Sequence, residues 1–292
     1  MKRMNDGFDQ QIVLKNLYRH VEYLSVKIGE RHLWKEGSLE RAADYIESIF
    51  QVERYAVTRQ NFTAYGKEVC NILVDNEGKE KGLAIVGAHY DTVPGSPGAD
   101  DNASSIAVLL ELARLIQGIP TNKRIIFAAF VNEESPCFGT EKMGSMVYAK
   151  HLKEKGLPVE IMLSLEMLGY FRNEESQRYP FSAMKFIYPR SADFLAVVGN
   201  YESSNYISFI KKEIRKNASI NVRSMIVPAQ VGGINRSDNS SFWENGFRAV
   251  MLTDTANYRN KNYHQETDTI DTLNFNSMAE IVKGLYHTLQ LL

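Results

Sequence analysis

Thiols are scarce in this sequence, and a charge imbalance and long apolar runs are missing from it. Only two cysteines, Cys70 and Cys137, occur among 292 residues, and they form no Cys-x-x-Cys pair. That excludes a disulfide-stapled secreted scaffold and reads as free thiols in a reducing compartment. Lysine and arginine number 34 against 35 acids, for a net charge of -1. So even a balance carries no electrostatic footprint for nucleic acid, and clusters such as Lys211-Lys212 are too short to attract a polyanion. No apolar run approaches the length of a membrane span. Lys2 and Arg3 lead into Asn5, Asp6 and Gln10 rather than into the apolar stretch of a signal peptide. The expectation is a cytoplasmic protein with neither nucleic acid nor membrane as partner; a secreted form whose leader had been removed would read the same.

Several catalytic templates are missing as well. There is no His-Glu-x-x-His, no Gly-x-Ser-x-Gly elbow, no Gly-x-Gly-x-x-Gly and no P-loop. Ser104, Ser105, Ser240 and Ser241 are available to a scattered Ser-His-Asp hydrolase, but helix capping or surface roles suit each of them.

What is present is an ordinary globular composition, 44% hydrophobic and 24% charged. It has no internal repeat and no Pro/Gly/Ser linker, so residues 1–292 read as one domain. Leu14, Leu17, Val21, Leu24 and Ile28 recur at three and four spacing and predict a helix over 8–28. Ser38 is placed as the N-cap of a second helix reaching Phe50. Residues 54–64 and 69–74 suit two strands joined by a turn at Gly66-Lys67. The centre then changes character. Residues 83–88 (LAIVGA), 124–131 (RIIFAAFV), 161–165 (IMLSL) and 249–253 (AVMLT) are short, nearly continuous apolar runs, as expected of strands buried on both faces of a largely parallel sheet. Helices are expected over 103–117, 203–216 and 277–291. The alternation implies an α/β sandwich, with 168–190 and 228–240 as irregular insertions near a site.

Chemistry follows the buried runs. The first ends in His89, Tyr90 and Asp91, the second in Asn132, Glu133 and Glu134, the third in Glu166 and the fourth in Asp254. Each residue alone has an ordinary explanation, a satisfied loop histidine or a solvated acid. Together, at the carboxyl ends where open α/β sheets bind ligands, they would form one cluster of nitrogen and oxygen donors whose mutual repulsion a divalent cation would relieve. Imidazole and carboxylate without thiolate suit zinc, with cobalt or manganese possible. His89 and Asp91 lie two apart on an extended segment and so face opposite sides. Asp91 therefore suits the role of holding the His89 ring rather than binding the same ion.

These residues also form a recognisable pattern. Gly87-Ala88-His89-Tyr90-Asp91, the run from Pro97 to Ser104, Asn132-Glu133-Glu134, the run from Ser164 to Tyr170 and the run from Tyr263 to Thr269 occur in order over about residues 85–275. They resemble the blocks of the co-catalytic di-zinc aminopeptidases, the superfamily of aminopeptidase Y, glutamate carboxypeptidase II and the glutaminyl cyclases. The resemblance implies a three-layer α/β/α sandwich with a mixed, mainly parallel sheet. It implies removal of N-terminal residues from peptides with a free N-terminus, and two zinc ions as cofactor. Carried over position by position, it makes His89, Asp101, Glu134, Glu166 and His264 the metal ligands, with Asp101 shared by both ions and Glu134 paired with His264. It makes Glu133 the general base, Tyr263 an oxyanion partner and Asp91 an auxiliary catalytic residue. A cis peptide between Asp101 and Asn102 is implied too. Ser105 and Asn239 depart from the pattern, where relatives often have Gly and His. Tyr258 and Phe242 are candidate substrate-pocket residues, with Phe171 and Trp243 beside them. Three other readings are a glutaminyl cyclase working with one zinc, a carboxypeptidase, and a catalytically inactive binding domain. The complete ligand sets and the short chain weigh against all three. Oligomeric state is not expressed in the sequence.

Overall fold

In the computed structural model, which describes residues 8–228 and 235–292, eight strands form one continuous sheet between two layers of helices. The expectations drawn from Lys2 to Asp6, and part of the irregular stretch 228–240, lie outside the described residues. Helix α1 (Gln10–Glu22) starts on Asp9, whose carboxylate accepts from the Gln11 and Ile12 amides. Its apolar stripe runs on through a wider π-helical turn over Tyr23–Ile28 that buries Leu24 and Ile28. Helix α2 (Ser38–Val52) begins one residue earlier than expected. Gly37 in the left-handed region is its cap, and Ser38 is its first helical residue, with its hydroxyl on the His32 and Lys35 carbonyls.

Strands β1 (Thr58–Ala64) and β2 (Lys67–Asn76) make an antiparallel hairpin. The turn is Tyr65-Gly66, not Gly66-Lys67. Both residues have positive φ (50 and 74), which is the two-residue turn whose twist matches that of the flanking strands. The four apolar runs become β3 (Leu83–His89), β4 (Arg124–Phe130), β5 (Val159–Glu166) and β8 (Ala249–Thr253). Helix α3 (Ser105–Ile116) follows β3, α5 (Ser204–Asn217) follows the insertion, and α7 (Phe275–Leu291) closes the chain. Four elements were not read from the sequence: α4 (Gly144–Glu154), β6 (Phe194–Gly199), β7 (Asn221–Ile226) and α6 (Asn239–Glu244).

The strand order is β1-β2-β4-β3-β5-β8-β6-β7. β4, β3, β5 and β8 are mutually parallel, so their carboxyl ends emerge along one edge. β1, β2 and β6 bring in the antiparallel pairings. Period-two alternation divides the core between two faces. Ala84, Val86, Ile125, Phe127, Ile161, Leu163, Val250 and Leu252 pack with α1, α3, α5 and α7. Leu83, Ile85, Ile126, Ala128, Phe130 and Met162 pack with α4 and α6. Among the described residues no helix is long and apolar enough to cross a membrane.

Candidate metal centre and substrate cavities

The common edge delivers its donors through short, unusually shaped turns. His89 is the last residue of β3 and Glu166 the last of β5. Glu133 and Glu134 follow β4 after Asn132, which has φ 61; Met167 after Glu166 has φ 46, and His264 itself has φ 60. Left-handed backbone at non-glycine residues carries a cost, and here it gathers where side chains must be aimed at a common point.

The loop from β3 to α3 is fixed from two directions. The Arg31 guanidinium, fully buried, donates to the main-chain carbonyls of Tyr90, Pro97 and Gly98, as well as to Leu24 and Gly29. Gly98 has φ 59, and a Cβ there would stand 2.3 Å from the Asp101 carbonyl oxygen; only glycine allows this approach. Beyond it, the acids and amides around Asp101 bind backbone. Asp100 accepts from the Gly169 amide (2.8 Å) and from Asn260 Nδ2 (2.7 Å). Asn102 donates to the Leu165 carbonyl (3.0 Å) and accepts from the Met167 amide (3.0 Å). Asp268 accepts from the Asp100 and Asp101 amides. The Asp101–Asn102 peptide is cis. With its neighbours committed in this way, Asp101 is the carboxylate of the run that faces the strand ends.

Two groups of donors meet at it. His89 Nε2 lies 3.3 Å from Asp101 Oδ1 and 3.5 Å from Glu166 Oε2. His264 Nε2 lies 3.2 Å from Asp101 Oδ2 and 3.1 Å from Glu134 Oε1. The donors of each triad lie close enough together to hold one ion, and Asp101 belongs to both triads. His89 Nε2, Asp101 Oδ1 and His264 Nε2 are buried atoms without a hydrogen-bond partner among the described residues. Buried polar atoms are rarely left so. Two imidazoles and three carboxylates around such atoms fit divalent zinc. Sequence reasoning also put Asp254 in this group, but it belongs to neither triad. Asp254 accepts from the Tyr170 and Ala256 amides and ties the β5 and β8 exits together. The second imidazole comes instead from His264, in the loop after β8.

Asp91 does something that the alternation argument missed. The strand has ended at His89, and the Asp91 carboxylate turns back to accept from both the Glu133 and the Glu134 amides at 3.0 Å. Its Oδ1 still lies 3.5 Å from His89 Nδ1, and its carbonyl oxygen lies 3.2 Å from that nitrogen. One carboxylate thus places both glutamates relative to the imidazole. Glu166 is oriented by Ser237, whose hydroxyl donates to Oε2 at 2.6 Å; no sequence signal marked Ser237.

Burial governs the proton affinities in the absence of a cation. Burial, then the Glu134 and Glu166 charges, pushes the Glu133 carboxyl well above the carboxylate range. Burial and the Asp101 charge push Glu134 up to about 7. At Asp101 burial acts in the same direction, but the His264 and His89 contacts more than offset it and hold this carboxyl below the usual range. Tyr263 stacks on the His264 ring at 3.7 Å. Burial and the surrounding carboxylates raise its hydroxyl far above the usual tyrosine value.

A cavity of about 390 Å³ opens beside Glu166 and Tyr263. Its floor is the outer face of β6 and β8, with Phe194, Ala196, Val198 and Met251, and its roof is the segment 177–188 with Tyr179, Phe181 and Met184. Tyr258 lines it. Phe242 does not: its ring is wholly buried between Phe130 and Phe247 in the core under α6. Phe171 is buried against Arg259, and Trp243 Nε1 donates to the Ala249 carbonyl. Of the four rings named from the sequence, Tyr258 alone is on this lining; β6, which was not read from the sequence, supplies Phe194 to the floor. A useful sign was the run of Tyr179, Phe181, Met184 and Tyr188 within an otherwise polar insertion.

The profile described as Peptidase family M28 matches residues 71–289. The uncharacterized protein YfbL of Escherichia coli (strain K12) is 38% identical over 280 residues, covering 93% of this chain and 86% of its own length. A "probable leucine aminopeptidase" of Arthroderma otae is 27% identical over 288 residues, covering 92% of this chain and 70% of its own. The crystal structure of BSAP, a zinc aminopeptidase from Bacillus subtilis, superposes with a TM-score of 0.74 at 19% identity over 94% of each chain, a likeness of fold.

Proposed function

The chain belongs to peptidase family M28, and from that premise we propose that it is a zinc-dependent aminopeptidase that removes apolar N-terminal residues from peptides. The observation that carries the reading is the pair of donor triads sharing Asp101, with unpartnered His89 and His264 nitrogens. His89, Asp101 and Glu166 would hold one zinc ion, and Asp101, Glu134 and His264 the other. When bound, the ions supply Lewis acidity, which makes a water acidic enough to act near neutral pH and polarises the scissile carbonyl. Glu133, placed beside the triads but in neither, takes the proton from the attacking water and passes it to the leaving amine. Burial suits it to this work, because a carboxylate in an apolar setting is a stronger base than one in water. The Tyr263 hydroxyl donates to the oxygen that gains charge. Asp91 keeps Glu133 and His89 in register. The apolar cavity accepts the first side chain, in keeping with the leucine named for the Arthroderma relative.

Two complete triads support this reading over a one-zinc cyclase. Metal analysis of the purified protein together with turnover of aminoacyl-nitroanilides tests it. The paired variant is Glu133→Gln. Retained metal with a rate lower by about three powers of ten or more is expected; an active Glu133→Gln protein would remove the base from the mechanism. Cyclisation of N-terminal glutamine without release of free amino acids would overturn the peptidase reading itself.

A further inference from the structure

Beside the apolar cavity lies a second one, open and polar, of about 410 Å³. The two share Arg178, Tyr179, Asn257, Tyr258 and Tyr263. A substrate whose first side chain fills the apolar cavity therefore meets, past Tyr263, a lining shared with the polar one.

The polar cavity is lined by two cations, Arg178 and Lys261, and by no acid. Arg223 and Arg236 stand on the lining of the apolar cavity, where the sole carboxylate is Glu166 of the donor cluster. None of these four cations forms an ion pair among the described residues. Arg178 is held in place instead, with Nη2 donating to the Asn257 carbonyl at 2.7 Å and its amide to the Tyr258 carbonyl at 2.7 Å. Some cations elsewhere on the surface are matched. Arg59 has Glu40, Asp44 and Glu47, Lys123 has Glu80 and Glu160, and Arg124 has Asp75. In a chain of net charge -1, unmatched cations at the exit of one cavity create a local field that favours an anion.

We infer that this site selects peptides in which an apolar first residue is followed closely by a carboxylate, either the free C-terminus of a dipeptide or an acidic second side chain. The inference rests on the aminopeptidase reading and adds a leaving-group preference to it. Arg178 and Lys261 receive the carboxylate; Arg223 and Arg236 add to the field.

The zinc-loaded protein is assayed with leucyl-alanine, leucyl-alaninamide, and the amides of leucyl-aspartyl-alanine and leucyl-asparaginyl-alanine. A free C-terminus is expected to raise kcat/KM about tenfold over its amide, or aspartate about tenfold over asparagine; which pair responds identifies the carboxylate used. The advantage shrinks in about 1 M salt, where the screening length is about 3 Å. In the Arg178→Glu/Lys261→Glu variant the preference turns toward a lysine in second place, a reversal that misfolding cannot produce. Equal rates within both pairs overturn the inference while leaving the aminopeptidase reading intact. If none of the four peptides is cleaved, the aminopeptidase reading has failed first.

Discussion

The two ends of the sheet are built differently. Across β2, β4, β3 and β5 both faces are covered by helices, and successive residues alternate between two dry cores. At β8, β6 and β7 the inner face is still covered by α5 and α7. The outer face, with Phe194, Ala196, Val198 and Met251, lies under an irregular segment and borders the cavity. The proposed metal donors come from strand ends and from the β3–α3 loop of the helix-covered part, with His264 the exception. The cavity lining comes almost entirely from the other end. Chemistry that needs atoms placed to fractions of an ångström sits on the rigid part. Selection of substrate, on the proposed reading, sits where insertions and loop sequences can vary without disturbing the sheet.

The most severe way to break the first region is through the shared carboxylate. Asp101→Asn keeps the shape but removes a charge that faces both imidazoles. At least one metal ion per chain is expected to be lost, with kcat/KM lower by about three powers of ten. Plasma emission analysis of the dialysed variant decides it, and full metal content would show that Asp101 does not bridge. Next in size is Phe242→Ala. The ring is fully buried in the helix-covered core, so its loss should cost about 3–5 kcal/mol of stability, measured by urea unfolding. The ratio of leucyl to alanyl turnover should stay unchanged. A changed ratio at unchanged stability would return Phe242 to the substrate pocket.

Much of the helix-covered region was legible because its physics is local. Runs buried on both faces are continuous in sequence, and the acids and imidazole stand immediately after them, so β3, β4 and β5 and their terminal residues could be read directly, as could β8 in the other region. The second region was not legible for the same reason in reverse. β7 is an edge strand with mixed burial, and β6 is an apolar run that stood beside a polar insertion and was passed over. The cavity is formed by segments far apart in the chain, 177–188, 194–198, 223–227 and 251–263, and no window of sequence brings them together. The loop before α3 was intermediate. The pattern selected Asp101 from Asp100-Asp101-Asn102, but only the structure gives the reason. Asp100 and Asn102 are consumed by hydrogen bonds to the β5 exit.

The cavity itself is tested by filling it. Ala196 lies on its floor with a β6 side chain that points away from the helix-covered face. Ala196→Phe should lower leucyl turnover by about 10–100-fold relative to alanyl turnover, as expected when a few methylene-sized spaces are removed from an apolar pocket, with metal content unaffected. An unchanged ratio would place the first side chain of the substrate elsewhere.

The smallest effect lies deep in the helix-covered part, at His20. Its ring is buried under α2, with Nδ1 2.7 Å from the Tyr45 hydroxyl oxygen, and burial, followed by Arg19 and Arg114, lowers its pKa from 6.5 to about 3. The folded protein therefore keeps this histidine neutral where the unfolded chain protonates it. Between pH 6.5 and 3 the unfolded state binds the extra proton, so stability falls as the pH falls, by at most about 1.4 kcal/mol per pH unit from this group. Above pH 6.5 the group contributes no slope. The difference between wild type and His20→Gln isolates the term from the many carboxylates that titrate in the same range. Unfolding midpoints measured at pH 7 and at pH 4.5 should show a steeper loss for wild type than for the variant. Parallel losses would mean that His20 gains its proton without leaving the core, and that this part of the helix-covered region is less rigid than its packing indicates.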